Sequence, residues 1–588
     1  MSGPPLRAGP AGVAAGAPVT GGAAGGETVA GRLLARLGRH VDYIFANTGT
    51  DFPPIIEALA RGEAEGARLP GAIAVPHENV AVAMAYGHTM VSGRPQAVMV
   101  HVNVGTANAL CGLLNAARGR IPMLLAAGRT PYHETGPHGA RSRTIQWAQE
   151  MFDQAGLVRE AVKWDYELSR GEQVEAAVDR AFAIALSEPM GPVYLTLPRE
   201  VLAEPGAGGE PPAARSSAPA RPPGPDPAAI EEAAQILAAA ERPLIIAGDA
   251  GRSAAAFEAL ARLAERHAIP VVGFAARSLC IAAGHPMNLG YEPGPLLAEA
   301  DAVLTVDCDV PWIPSLQGPP AGCRVVHLGV DPLFVRYPIR TFPCDLAIDA
   351  SPALALPALD AALAEQAADP GRVAARRSAL AARAGELRAG WRRAAEEAAG
   401  ARPIAIPWLS HCIDRIADDD TIVLNELGLS PAQLNLRRPG SYFGLSPTGG
   451  LGWGLGAALG AKLAAPDRLV IAAVGDGAYM FGNPTPAHYV SRAHGLPVLY
   501  VVSNNAGWGA VRAATKAMYP DGAAAQRNAM PLAALGPMPD FETVIAASGG
   551  YGERVEDPAA LPDALDRAVR AVREEGRQAL LNVITADR

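Results

Sequence analysis

The chain has 588 residues, 49% of them hydrophobic, and a formal net charge of −9, which predicts about three or four globular domains with ordinary cores. The negative balance and the lack of an extended basic block exclude a phosphate backbone as partner, so no nucleic acid is expected. No stretch of about 20 apolar residues runs on without charges or breakers, so no membrane span is expected.

Residues 1–26 mix Ala with Gly and Pro and lack the compact apolar core of a signal peptide, predicting a disordered tail on a cytoplasmic protein. The first block, 27–203, alternates the runs VDYIFAN, GAIAVPHE, PQAVMVHVN, IPMLLAAG and GPVYLTLP with Ala/Leu-rich segments. That is the pattern of a parallel sheet covered by helices. Thr50 follows the first run, in NTGTD. Glu78 ends the second and opens an Ala-rich helix, where the helix dipole alone would favour an acid. His101 lies near the end of the third; an imidazole there can protonate a carbanion, orient a carboxylate, or serve as a buried structural histidine. In ETGPHGARSRT, Arg141 and Arg143 predict a mobile loop that offers cations to an anion or stays in solvent. Trp147, just beyond, is read as a core or pocket aromatic.

A Pro/Gly-rich stretch, 204–227, predicts a linker. The central block, 228–366, offers RPLIIAGD, IPVVGF, DAVLTVDCD, CRVVHLGV and CDLAID as strands, and its AGDAGRS is only a weak glycine cluster for a nucleotide. A charged, helix-prone connector spans 367–402. The third block, 403–588, supplies TIVLNE, RLVIAAVGD, LPVLYVVSNN and ALLNVIT. Three doubly wound parallel-sheet domains of the α/β class are the simplest architecture. The six scattered cysteines lack CxxC spacing and predict reduced core thiols.

Two polar clusters end consecutive strands of the third block, Gly-Asp-Gly at 475–477 and Asn-Asn at 504–505. Ligands of open α/β sheets bind at that edge. Each cluster alone could be a plain turn former. Together they offer the Asp476 carboxylate, the Asn505 amide oxygen and the Gly507 carbonyl, an oxygen set suited to Mg²⁺, with the Gly477 amide free for a phosphate.

This segment resembles the thiamin diphosphate signature, a Gly-Asp-Gly followed after a helix and a strand by Asn-Asn, with about two extra residues near Asn483–Pro486. The resemblance extends over most of 27–588, to the acetolactate synthase and benzoylformate decarboxylase superfamily, with pyrimidine-binding, central and diphosphate-binding domains in that order. It implies Asp476, Asn505 and Gly507 as ligands of Mg²⁺. Gly428, Leu429, Gly477 and Ala478 would lie at the diphosphate, Gly449 and Leu451 at the aminopyrimidine, and Glu78 would activate the cofactor. On the substrate side, HVNVGT is similar to the histidine segment of benzoylformate decarboxylase, implying a catalytic His101, with Thr50 at the substrate carboxylate. TIQWAQEMFDQ resembles the acetolactate synthase segment with a functional Gln, here Gln149.

The implied reaction is decarboxylation of a small-molecule 2-oxo acid followed by carboligation, as in acetolactate synthase. The alternatives are a benzoylformate decarboxylase-like enzyme, a 2-hydroxyacyl-CoA or acyloin lyase, and a noncatalytic relative, disfavoured by retention of Glu78, Asp476 and Asn505. FAD or ADP in the central domain is not expected, since DCDVPWIPS is unlike a flavin-binding segment. A homodimer or homotetramer with active sites shared between subunits is implied.

Overall fold

The computed structural model describes residues 28–206, 217–366, 369–527 and 530–586; the expected tail and the middle of the expected linker lie outside them. The apolar runs form three sheets. The first holds β1 (Tyr43–Ala46), β2 (Gly71–Ala74), β3 (Gln96–Val100), β4 (Met123–Arg129), β5 (Asp165–Glu167) and β6 (Val193–Pro198), in the order β2-β1-β3-β4-β6-β5. The second holds β7 (Pro243–Ala247), β8 (Val271–Val272), β9 (Ala302–Val306), β10 (Arg324–Gly329) and β11 (Leu346–Asp349), in the order β11-β10-β9-β7-β8. The third holds β12 (Ile422–Glu426), β13 (Tyr442–Gly444), β14 (Val470–Gly475), β15 (Leu499–Asn504), β16 (Tyr551–Val555) and β17 (Ala579–Ile584), in the order β13-β12-β14-β15-β17-β16. All pairings between these strands are parallel. Strands β3, β7, β9, β12 and β15 are buried along their whole length, as parallel strands covered on both faces must be.

The first and third sheets have the same strand order, so two sequences without a visible repeat fold alike. The edge strands β5, β13 and β16 were not expected: DYE and YGERV carry charges, and YFG is only three residues long.

One core joins these two domains, with Phe45, Val98 and Tyr194 of the first in the same cluster as Leu424, Val474 and Tyr500 of the third. At its centre the helix Glu78–Ser92, buried from Glu78 to Thr89, crosses the helix Trp453–Ala464. A helix apolar on all sides needs burial on all sides. The crossing depends on bare glycine. A Cβ at Gly87 would lie 1.9 Å from the Ala457 carbonyl oxygen, and one at Gly460 would lie 2.0 Å from that of Met84.

The helix Pro370–Glu397 is tied to the central domain by arginines. Arg376 donates to the carbonyls of His267 and Ala268, and Arg377 to those of Glu265 and Arg266. These are the open carbonyls at the end of the helix Ala254–His267. All six cysteines are free thiols, but they are not all in the core: Cys280, Cys308 and Cys412 are buried, Cys111 and Cys323 half-buried, and Cys344 exposed on the segment before β11. Among the described residues no helix is long and apolar enough to cross a membrane.

Candidate active site

The buried run VIAAV of β14 ends at Gly475, beside which a Cβ would meet nothing within 4 Å. Asp476 then opens a short helix, Asp476–Phe481. Its carboxylate is 2% exposed. Oδ1 accepts from the Gly477 amide at 2.7 Å and Oδ2 from the Gly507 amide at 3.1 Å, and Asn505 Oδ1 accepts from the same Gly507 amide at 3.2 Å. Asp476, Asn505 and Gly507 are thus brought together at the ends of β14 and β15. Burial pushes the Asp476 carboxyl above its usual range, and the amides of Gly477, Gly507, Ala506 and Asn505 pull it back. A buried carboxylate, an amide oxygen and a backbone carbonyl suit a divalent cation such as Mg²⁺, and the open space at Gly475 leaves room for what the cation would carry.

The two asparagines do different work. Asn504 is buried, donates to Asn582 Oδ1 at 3.0 Å and accepts from the Ala506 amide, so it shapes the turn. Gly477 must lack a side chain because a Cβ would stand 2.3 Å from the ring of Trp508. Ala478 is buried in the same turn. Asn483, left-handed at φ +55°, precedes the helix Pro484–His494.

The loop from Leu445 to Gly452 is pinned from two sides. Asn115 of the first domain donates to the Gly450 carbonyl at 2.7 Å and accepts from its amide at 3.1 Å. Glu426, fully buried at the end of β12, accepts from the amides of Gly452 and Gly454. Burial raises the Glu426 carboxyl to about 7 despite those amides. Gly449, at φ +66°, has open space on its Cβ side, and Leu451 is half-buried against the shared core. Gly428 and Leu429 lie in the turn after β12. Both amides donate to Asn425 Oδ1 at 3.0 Å, because buried donors in this turn take the nearest acceptor. Both amide hydrogens are therefore taken up within the turn.

In the first domain, Glu78 is 8% exposed and accepts from Asn108 at 2.5 Å. Gly105 leaves room for its other oxygen: a Cβ there would lie 3.3 Å from Glu78 Oε1. His101, just before the helix Val102–Arg118, has Nδ1 at 2.5 Å from Asp51 Oδ1 and Nε2 at 3.1 Å from Gln149 Nε2. The structure therefore joins His101 and Gln149, which lie 48 residues apart. Thr50 is half-buried next to Asp51, its carbonyl accepting from Arg199. Asn108, with Glu78, and Asn115, with Gly450, sit two turns apart on one helix, about 10 Å.

The arginine loop is neither mobile in its bonding nor free in its charge at Arg141, which donates to Glu150 at 2.5 Å and to the Pro131 carbonyl and lies over the Trp147 ring. Arg199 and Glu200 hold the loop's backbone at Gly139, Ala140, Tyr132 and His133. Arg143 is exposed. Trp147 is 47% exposed and donates to Glu134, so it is not a core residue.

Asp51, Asn108, Asn115, Asn425 and Glu426 were not anticipated. The only signals were an acid one residue past Thr50 and an acid closing the buried run TIVLNE. Between the central and third domains a cavity of about 360 Å³ opens beside β12, walled by Leu427, Leu429, Leu445 and Tyr291 with Asn288 and Glu292. At the switch point between β7 and β9, Arg277 pairs with Asp249 and Asp309, and Arg120 with Asp307.

Family models match three stretches: the thiamine pyrophosphate enzyme N-terminal TPP binding domain at residues 26–157, the central domain at 230–359, and the C-terminal TPP binding domain at 427–583. A Pseudomonas aeruginosa protein named probable 2-ketoarginine decarboxylase is 31% identical over 92% of this chain and 90% of its own. An acetolactate synthase large subunit from Mycobacterium tuberculosis is 28% identical over 95% of each chain. The solved thiamine diphosphate-dependent 4-hydroxybenzoylformate decarboxylase of Rhodococcus jostii shares the fold, with a TM-score of 0.74 at 23% identity over 96% of this chain and 100% of that one.

Proposed function

The chain belongs to the thiamine pyrophosphate enzyme family, and from that membership we propose a thiamin diphosphate- and Mg²⁺-dependent enzyme that decarboxylates a 2-oxo acid and returns a proton to the product. When bound, thiamin diphosphate supplies the electron sink for the carbon–carbon cleavage. Asp476, Asn505 and Gly507 hold the cation, and Glu78, fixed by Asn108, holds or accepts a proton at Oε1. The observation that carries the reading is His101 between Asp51 and Gln149. An imidazole so fixed can hold a proton at Nε2 and deliver it.

Carboligation, with a second carbonyl in place of the proton, is the second reading, supported by the acetolactate synthase relative that aligns over 95% of both chains. We also propose that two copies assemble the site. In one chain Glu78 lies with Asn108 on the first domain and Asp476 on the third. Large apolar side chains flank both clusters in the open: Ile145, Trp147 and Phe152 near Gln149, Met480 and Phe481 after Asp476. Such patches call for a cover. No flavin or ADP is proposed for the central domain, a reading supported by the ion pairs between β7 and β9. A cytoplasmic location agrees with six free thiols.

The test is CO₂ release from a panel running from pyruvate to benzoylformate, with thiamin diphosphate and Mg²⁺, alongside Glu78→Ala. An aldehyde product lost in the variant supports the first reading and an acyloin the second. Silence across the panel overturns both in favour of acyl-CoA or acyloin cleavage.

A further inference from the structure

Asp51 is 5% exposed, and its carboxylate serves two groups. Oδ1 meets His101 Nδ1 at 2.5 Å, and Oδ2 accepts from the Val102 amide at 3.4 Å. The backbone is shaped around this pair. A Cβ at Gly128 would lie 1.6 Å from Asp51 Oδ2, and one at Gly49 would lie 2.1 Å from Cγ and Nδ1 of the His101 ring. Val102 is held at φ +32°, which a β-branched residue adopts only when its surroundings impose it. On the far side of the ring, Gln149 is 8% exposed and turns one amide atom to His101 Nε2, while its Oε1 is buried without a hydrogen-bond partner.

We infer that Asp51 is a positioning residue that fixes the tautomer of His101, and that Gln149 reads the protonation of that ring. With a carboxylate on Nδ1, the neutral imidazole carries its proton there and its lone pair on Nε2. Gln149 then donates its NH₂ to Nε2 and leaves Oε1 as the free group. When the ring gains a second proton, at Nε2, the amide must turn so that Oε1 accepts it, and the NH₂ becomes free. The pocket therefore offers a donor to a carboxylate only while His101 carries the proton it will deliver. Once that proton has gone it offers an acceptor, which repels a second anion until the ring is recharged from solvent. The other charged groups nearby are Glu78, beside Gly105, and Arg199, which donates to the Thr50 carbonyl. The choice of a carboxylate ligand rests on the proposed oxo-acid reading; the tautomer does not.

The experiment uses holoenzyme labelled with [¹⁵N]histidine, with the His101 signals identified by their loss in His101→Phe. Neutral wild-type His101 is expected to carry its proton on Nδ1, and Asp51→Ala to lose that bias. A wild-type neutral ring protonated on Nε2 overturns the inference, whether or not the variant folds. For Gln149, benzoate is the carboxylate probe, its binding followed by calorimetry in the doubly protonated state of His101. Gln149→Leu is expected to weaken it about 10-fold or more, and equal affinity, or no binding to the wild type, overturns the reading role. Neither measurement needs turnover, so silence across the oxo-acid panel would sink the proposed function and leave these results standing.

Discussion

Glu426 Oε1 accepts the amide hydrogen of Gly452 at 2.6 Å, tying the end of β12 to the loop expected to cup the cofactor ring. Because burial lifts this carboxyl from 4.5 to about 7, the folded state binds its proton more tightly than the unfolded chain. The contribution is fully present below the unfolded value and is lost as pH rises through the folded one. It amounts to about 3 kcal/mol across that window. In Glu426→Gln that component of the slope disappears, although one amide loses its acceptor. Urea melts of both proteins at about pH 5 and about pH 8 check this: an identical slope would rule it out.

Asp476→Ala is expected to weaken thiamin diphosphate binding about 100-fold or more, since even outer partners of a metal site are worth 10–100-fold. A chelator should do the same to the wild type and nothing further to the variant. Fluorescence of Trp508, stacked on Gly477, reports the titration. Full affinity in the presence of chelator would remove the cation from the reading.

Gly87→Ala sets a methyl group against the Ala457 carbonyl and should lower stability by about 3 kcal/mol, the upper end for an overpacked core, because backbone cannot rotate away. Gly385→Ala, in the helix Pro370–Glu397 with nothing within 4 Å, should raise it by about 0.5–1 kcal/mol. Denaturation midpoints of the pair test the crossing, and equal shifts would contradict it.

Glu78→Gln should reduce CO₂ release by at least about 100-fold while leaving cofactor affinity within a few-fold, the mark of a lost proton-transfer group. Asn108→Ala, which frees the same carboxylate, should cost less. Loss of binding in place of turnover would make Glu78 a structural acid.

The interior strands were legible because parallel strands need apolar residues on both faces, and LVIAAV and LPVLYVV are short, rich in β-branched residues and end in turn formers. Strand β16, with Glu553 and Arg554 on a sheet edge, carries no such run. The site was legible where motif residues stand at strand ends, as at Asp476 and Asn505. Asp51 and Glu426 escaped because what gives them meaning lies elsewhere: a ring 50 residues on, and a helix start 26 to 28 residues on. The bonding of the Gly428 and Leu429 amides depended on Asn425, whose side chain accepts from both.

The shared core also fixes an order of events during synthesis. Asn115 and Gly450, which meet across it, are 335 residues apart in the chain. At a ribosomal pace of about 5–20 residues per second, roughly 20–70 s pass between their appearances. Through that interval the helix Glu78–Ser92 has emerged with the face meant for Ala457 and Gly460 uncovered. Apolar surface left open in this way is a general aggregation hazard, and a truncation after the central domain is expected to keep that face uncovered even though its first sheet is complete.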